Sequence, residues 1–319
     1  MKHAAAAALL LALAFPLLGS RDMVVAVYFT LLYITLALNY DLLGGHLGFM
    51  NLGQGVFFGT AAYATMILVK SGILAGLGLA EVPVVAVAAV FLVGVLALLS
   101  AYLLFRLHGA YFAMATFALV VLVKQVIENL PDHTGGFNGI YISSSYFIDL
   151  WTAYYLMLTV LVCSMGLNVA VARGRLGLAV AAIRDSETAA SAVGIRVFRV
   201  KQCVLVLSAI PSACAGVIFA LQAGYIDVAS ALGHDKTLFP VIMAMMGGTG
   251  FLAGPILGGV LIRTIDVVVK NVLHLAFPAM AVYGIILLGI GLLMPQGILG
   301  RFKRSALRHP PLTREKNDG

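Results

Sequence analysis

Charge is what this sequence lacks most. Only 10% of its 319 residues are Asp, Glu, Lys or Arg, while 62% are hydrophobic. A soluble domain carries about a quarter of its residues as charges. So little charge excludes a soluble enzyme, a nucleic-acid binder and a disordered scaffold. Cysteine is scarce too: Cys163, Cys203 and Cys214 are the whole complement, and no pair has disulfide or zinc-ligand spacing. The chain has no G-x-x-x-x-G-K-[ST] phosphate loop, so it is not expected to hydrolyse nucleotide or hold a cofactor itself. An H-E-x-x-H metal motif and a credible Ser/His/Asp or Cys/His set are missing as well, and no catalytic residue is expected.

Apolar length is what the chain has in abundance. Seven stretches (42–69, 82–105, 107–123, 150–172, 202–226, 237–262 and 271–300) are free of Asp, Glu, Lys and Arg. Each approaches or exceeds the roughly 20 residues that cross a bilayer as a helix. The 34 Gly and 10 Pro suit membrane helices, which tolerate both. The fold class is therefore all-α, a polytopic membrane bundle of about eight to ten transmembrane helices with discontinuous or re-entrant segments.

The net charge of +7 reports orientation. Of 20 Lys and Arg, six lie in 172–201 and six more follow Pro295, which marks both segments as cytoplasmic. Ten spans satisfy this rule: 4–19, 23–38, 54–70, 83–105, 110–128, 151–171, 202–222, 237–250, 255–270 and 279–295. Both termini then face the cytoplasm, with the loop around Arg106 and His108, while 129–150, holding Asp132 and Asp149, lies outside. The N-terminal Ala/Leu run resembles a cleavable leader, yet no small-x-small cleavage site follows, and a retained first helix is expected. One membrane domain covers 1–300, followed by a basic cytoplasmic tail over 301–319.

Two segments break the pattern. Residues 39–53 contain Gly44, Gly45, Gly48 and Gly53, and residues 247–258 are similarly interrupted and carry Pro255. Irregular backbone at membrane depth must be buried in protein or line a cavity. Gly55 and Gly59, and likewise Gly250, Gly254 and Gly258, are spaced four apart, which lets helices approach closely. Few charges fall within spans. Lys124 with Glu128, and Arg263 with Asp266 and Lys270, are read as mutually paired groups near span ends or at a subunit interface. No lone acid stands out at a midplane, as an ion-driven carrier would more naturally show.

Two stretches are candidates for function. In 181–200, Asp185 or Ser186 can cap a helix of about 8 residues, Ala189, Ala190 and Val193 line one side, and Gly194 can end it. A helix that short needs a partner surface. That partner is either another protein or the chain's own bundle. In 45–63, Asn51 and Gln54 set hydrogen-bonding groups in a glycine-rich apolar run. They serve either a zwitterion's passage or adhesion between neighbouring helices.

Five ordered segments give the chain a resemblance. GHLGFMNLGQGVFFGTAAYA (45–64), LHGAYFAMATFA (107–118), TGGFNGI (134–140), AIRDSETAASAVGI (182–195) and GGTGFLAGPILGG (247–259) resemble the branched-chain amino acid permease family of bacterial ATP-binding-cassette (ABC) importers, of the LivM type. The departures are His108 where Arg is usual, Gly48 and Asn51 near a usual Ser, and Gln54 where His is common.

The resemblance implies a permease subunit importing Leu, Ile and Val by alternating access across the bacterial inner membrane. It implies that Arg184, Asp185, Glu187, Ala189, Ala190 and Gly194 form the element that couples to an ATPase. The pathway is expected near 45–63 and 111–116, with Gly45, Asn51, Gly53, Gln54, Tyr111 and Thr116 as its candidate residues. Implied partners are a second, LivH-type permease subunit, two ATP-binding cassette subunits that hold ATP and Mg, a periplasmic amino-acid-binding protein and membrane lipid, with no nucleic acid. The binding protein is expected to dock near 129–150 and 223–236. Related permeases handle urea, short amides or other amino acids, which remain open as substrates. An ion-coupled secondary transporter is the rival reading, and an intramembrane enzyme lacks any convergent catalytic set.

Overall fold

The computed structural model describes residues 15–16, 19–72, 81–271, 289 and 297–299, with side chains for all of these except 266–271. The expected spans 4–19 (apart from residues 15–16 and 19) and 279–295 (apart from residue 289), the basic tail 301–319, and the side chains of Asp266 and Lys270 lie outside the described residues. The remainder is a helix bundle with a single two-stranded ribbon among the described residues. The chain is a multi-pass membrane protein: five of the described helices are long and apolar enough to cross a bilayer.

Helix α1 (Arg21–Asp41) continues without a break into a π-helical turn, Leu42–Leu47. The 27-residue run reaches about 40 Å at 1.5 Å per residue. It stops at Gly48, whose φ of +83° suits a residue without a Cβ. Sequence reading ended this span at residue 38 and expected a broken segment over 39–53. The break is in fact confined to 48–53, because a π turn absorbs Gly44 and Gly45 within the helix.

Helix α2 (Gln54–Ser71) returns, followed by α3 (Glu81–Leu104), α4 (Ala110–Glu128) and α5 (Leu150–Arg173), whose N-terminus is capped by Asp149 accepting from the Trp151 N–H at 3.1 Å. Two short helices, α6 (Arg175–Asp185) and α7 (Glu187–Ala192), precede the long α8 (Val197–Ala223). A single turn, α9 (Val228–Leu232), leads to α10 (His234–Gly247) and α11 (Ala253–Asn271). At 14 residues α10 reaches about 21 Å, short of a crossing. The expected interruption in 247–258 is a chain reversal, with φ of +112° at Gly248 and +79° at Gly250.

Helices α1 and α8 sit at the centre, with 67% and 72% of their most apolar windows buried, whereas α3 has 22%. Along α3 the buried residues Val85, Ala89, Val93, Ala97 and Ala101 recur every four positions, a narrow stripe that rests on α2 and α8. Its other faces carry exposed Val87, Phe91, Leu92, Leu99 and Leu103, a surface suited to lipid.

Glycines set the spacing at the centre. A Cβ on Gly216 of α8 would run into the Phe58 carbonyl of α2, and one on Gly55 would lie 2.6 Å from Thr237 Oγ1. Gly254 and Gly258 press α11 onto α10, where added Cβ atoms would overlap the carbonyls of Gly248 and Met243. These small-residue strips are packing devices.

Two ends follow from contacts. Residues 45–49, 105, 184 and 201 meet at one end, here the basic end, which carries Arg106, Arg173, Arg175, Arg196 and Arg199 in or beside its loops. At the opposite end strand β1 (Ile140–Tyr141) pairs antiparallel with β2 (Tyr225–Ile226), and Tyr141 stacks on Tyr225 at 4.3 Å. The pairing joins the segments 129–150 and 223–236 into one surface that exposes Phe137 and Tyr141.

Candidate functional site

Helix α6 lies on the bundle through Val180 and Ile183. Ser186, in extended conformation, ends it and caps α7, its Oγ accepting from the Ala189 N–H at 3.3 Å. The other end of α7 closes as a Schellman motif: Ile195 N–H donates to Ala190 O at 3.1 Å and Gly194 N–H to Ser191 O at 3.0 Å. Gly194 takes φ +87°, the left-handed conformation that the sequence reserved for it. Helix α7 is six residues long, shorter than the expected eight. Ala189, Ala190 and Val193 do not share a side: Ala190 is 1% exposed against the bundle, while Ala189 faces out and Val193 is 77% exposed. A helix this short turns only one alanine inward.

Two side chains tie this element to the membrane helices. Arg184 donates to the Gly45 carbonyl at 2.8 Å, at the π turn of α1. Glu187 pairs with Lys201 of α8 at 2.6 Å, and the Lys201 ammonium lies 4.3 Å from the centre of the Phe49 ring. Phe49 meets Phe105 and Phe112 edge-on at 5.9 and 5.2 Å, and those two rings stack at 5.4 Å. Asp185 lines the same cavity as Arg184 and Glu187.

Behind α7 the chain leaves α1 through 48–53, where Asn51 and Gln54 are buried. Asn51 Oδ1 accepts from Gly53 N–H at 2.8 Å, and its amide donates to Gln54 Oε1 at 3.2 Å. The Gln54 amide donates to Ser208 O at 3.1 Å and Ser212 Oγ at 2.6 Å. Ser212 Oγ also accepts from Asn39 at 3.0 Å while donating to Ser208 O at 3.0 Å, which fills its hydrogen-bonding capacity. Leu52 N–H donates to Thr116 Oγ1 at 3.0 Å, tying the loop to α4. These polar groups hold α1, α2, α4 and α8 together. The residues facing open space are others: a cavity of about 750 Å³ at the basic end is lined by Met50, Leu52, Ala113 and Met114 on one side and by Arg184 and Glu187 on the other. Tyr111 stands 72% exposed on α4, whereas Thr116 is 1% exposed.

One acid escaped sequence reading, which found none at depth. Asp41 is fully buried near the end of α1, accepting from the Gly250 N–H at 2.9 Å, with His46 Nε2 3.9 Å from its other oxygen. It docks the reversal between α10 and α11 onto α1. Gly45 has no room for a Cβ there, because Gly250 N and Asp41 Oδ1 occupy the space. Sequence reading also began the next span after Lys236, yet Lys236 is 5% exposed inside α10 and bonds to Asp235 at 2.5 Å and Tyr33 at 2.8 Å. The expected Lys124–Glu128 pair is present at 3.8 Å.

A family model described as the branched-chain amino acid transport system permease component matches residues 23–291. The chain belongs to this family. Among curated relatives, the LivM permease of the high-affinity branched-chain amino acid transport system of Escherichia coli K12 is 28% identical over 80% of this chain and 65% of its own length. The corresponding LivH permease of Salmonella typhimurium is 24% identical over 84% of this chain and 91% of its own length. The autoinducer 2 import system permease LsrC of Klebsiella pneumoniae is 28% identical over 57% of this chain and 51% of its own. The chain thus spans 65% of the length of its LivM relatives. No solved structure matches it.

Membership of this permease family gives the five motif segments a setting. TGGFNGI forms the turn that leads into β1, in which Gly135, Gly136 and Gly139 all have positive φ. AIRDSETAASAVGI forms the end of α6, all of α7 and its Schellman turn. GGTGFLAGPILGG forms the α10–α11 reversal and the start of α11. Lys201 and Asp41 were missed because their partners are distant in sequence; only the rarity of a charge inside an apolar run could have flagged them.

Proposed function

We propose that this chain is one permease subunit of a heteromeric bacterial ABC importer that carries Leu, Ile and Val across the inner membrane by alternating access. One observation carries the reading: α7 is a fully capped six-residue helix with only Ala190 turned inward, presented at the basic end and tied to α1 and α8 by Arg184 and Glu187. So short a helix is not stable by itself, and its exposed small and apolar face suits the groove of a separate ATP-hydrolysing subunit. Arg184, Asp185, Glu187, Ala189, Ala190 and Gly194 form that coupling element. ATP and Mg belong to two such subunits, consistent with the lack of a phosphate loop here. The basic end and both termini lie in the cytoplasm.

The pathway runs along α4. The exposed face of α3 is apolar apart from Tyr102 at its basic end, whereas that of α4 sets Gln125 beside Tyr111, Met114 and Val121, which suits a second, LivH-type permease subunit and a passing amino acid better than lipid. Gly45, Asn51, Gly53, Gln54 and Thr116 shape this wall from behind. The joined outer surface around β1 and β2 receives a periplasmic amino-acid-binding protein, which supplies most of the selectivity.

Cysteines placed at each position from 186 to 194, followed by crosslinking in native membranes, test the reading. Positions 189 and 193 should capture an ATPase subunit and position 190 should not. If no position captures one, the importer assignment falls. The ligand that co-purifies with the binding protein decides among branched-chain amino acids, urea, amides and other amino acids.

A further inference from the structure

We propose that Lys201 is a positioning residue that transmits movement of α7 to the loop 48–53 and the start of α4. The proposal rests on the reading of α7 as the element gripped by an ATPase. Lys201 lies 2% exposed at the basic end of α8, and a buried ammonium is tolerated only where its charge is matched. Its match is divided between two bodies. Glu187, the first residue of α7, supplies the counter-charge at 2.6 Å. The face of Phe49, in the loop that leaves α1, supplies the second contact at 4.3 Å, with Phe105 behind it at 5.8 Å.

The asymmetry of these contacts makes Lys201 more than a structural pair. Glu187 is 31% exposed at its side chain, so a partner docking on α7 can reach it, whereas the Lys201 side chain, at 3%, has little water to fall back on. If α7 shifts, Lys201 must follow Glu187 or be left as an uncompensated buried charge. Following it lifts the cation from the Phe49 face. Phe49 is wedged edge-on against Phe105 and Phe112, and its loop bonds through Leu52 N–H to Thr116 of α4. A small displacement of α7 therefore selects between two discrete arrangements of the wall that lines the 750 Å³ cavity.

The test uses the complex purified from native membranes through a tag on this chain, reconstituted with its loaded binding protein and supplied with radiolabelled leucine. The readout is leucine imported per ATP hydrolysed, which a purely structural role would leave unchanged. Lys201→Met keeps the stem and loses the charge; leucine per ATP should fall at least tenfold while the ATPase subunits still co-purify. Lys201→Arg, which keeps charge and ring contact, should stay within threefold of the parent. A parental ratio in Lys201→Met, or an equal loss in Lys201→Arg, overturns the proposal. Should Lys201→Met fail to assemble, Phe49→Leu decides: it keeps apolar bulk but no π face, and a parental ratio there is equally fatal. A parent complex without ATPase subunits instead sinks the importer reading, and one that hydrolyses ATP without importing leucine sinks the branched-chain substrate, so these failures are distinct from that of Lys201.

Discussion

Segments 182–195 and 45–63 look alike in the sequence, each setting polar residues and glycine among apolar ones, but the folded chain uses them in opposite ways. In 45–63 the amide of Gln54 spends both its donors on Ser208 and Ser212 and accepts from Asn51, all at buried positions. In 182–195 the helix α7 satisfies its own ends through Ser186 and Gly194, then leaves Ala189 and Val193 in the open. Polar groups whose bonds are all made internally are architecture, because moving them would expose unpaired groups to a low-dielectric interior. A small helix whose bonds are complete but whose apolar face is bare is free to recognise something else. Both segments carry polar groups. What separates them is whether the hydrogen bonds and contacts are already consumed.

The sharpest way to break this comparison is Gln54→Leu. The substitution strands the Asn51 amide and a lone pair of Ser212 in the bundle centre, where each unsatisfied group costs about 1–3 kcal/mol. We expect a total loss of about 3 kcal/mol, read as a lower thermal midpoint of the purified chain in detergent and less protein in the membrane. Uptake per assembled complex should change little. A stable Gln54→Leu protein that no longer transports would move residue 54 from the frame into the pathway and erase the distinction.

The mirror experiment, with the next largest effect, is Gly194→Val. No atom lies within 4 Å of an added Cβ, so only the backbone objects, through a φ of +87°. A β-branched residue there costs about 1–3 kcal/mol, borne by a six-residue helix and not by the bundle. Uptake should fall at least tenfold with the thermal midpoint unchanged. Loss of stability together with activity would make α7 part of the frame as well.

Much of this was legible in one dimension. The expected span 110–128 became α4, and 151–171 became Leu150–Arg173, because an apolar run of that length has one way to satisfy its backbone in lipid. Gly194 as a helix stop and Ser186 as a cap followed from local chemistry, which needs no distant partner. The end of α1 did not follow, because the run was closed ahead of Asp41, and the hydrogen bond that holds this acid comes from the Gly250 N–H, 209 residues away. Lys201 was grouped with surface arginines by the same logic. Its burial depends on Glu187, 14 residues before it, and on Phe49 in the loop between α1 and α2. The side of α7 that holds Ala190 was equally hidden, since a period of 3.6 says which residues share a face but not which face meets the bundle.

The smallest effect is the most discriminating, because it acts on α7 through its cap alone. Ser186→Ala removes the oxygen that accepts from Ala189 N–H, a cap with a contact of 3.3 Å. Losing such a cap costs about 1 kcal/mol. In the bundle that loss would vanish, but α7 is too short to have reserves, and about 1 kcal/mol is a factor of about five in the population of a marginal element. Leucine uptake should therefore drop about fivefold with no change in thermal midpoint, while Ser186→Asp, another good cap, should hold parental uptake. If Ser186→Ala transports normally, α7 does not need to be a helix when its partner engages it, and the lever would have to be α6 with Arg184 as its contact to α1.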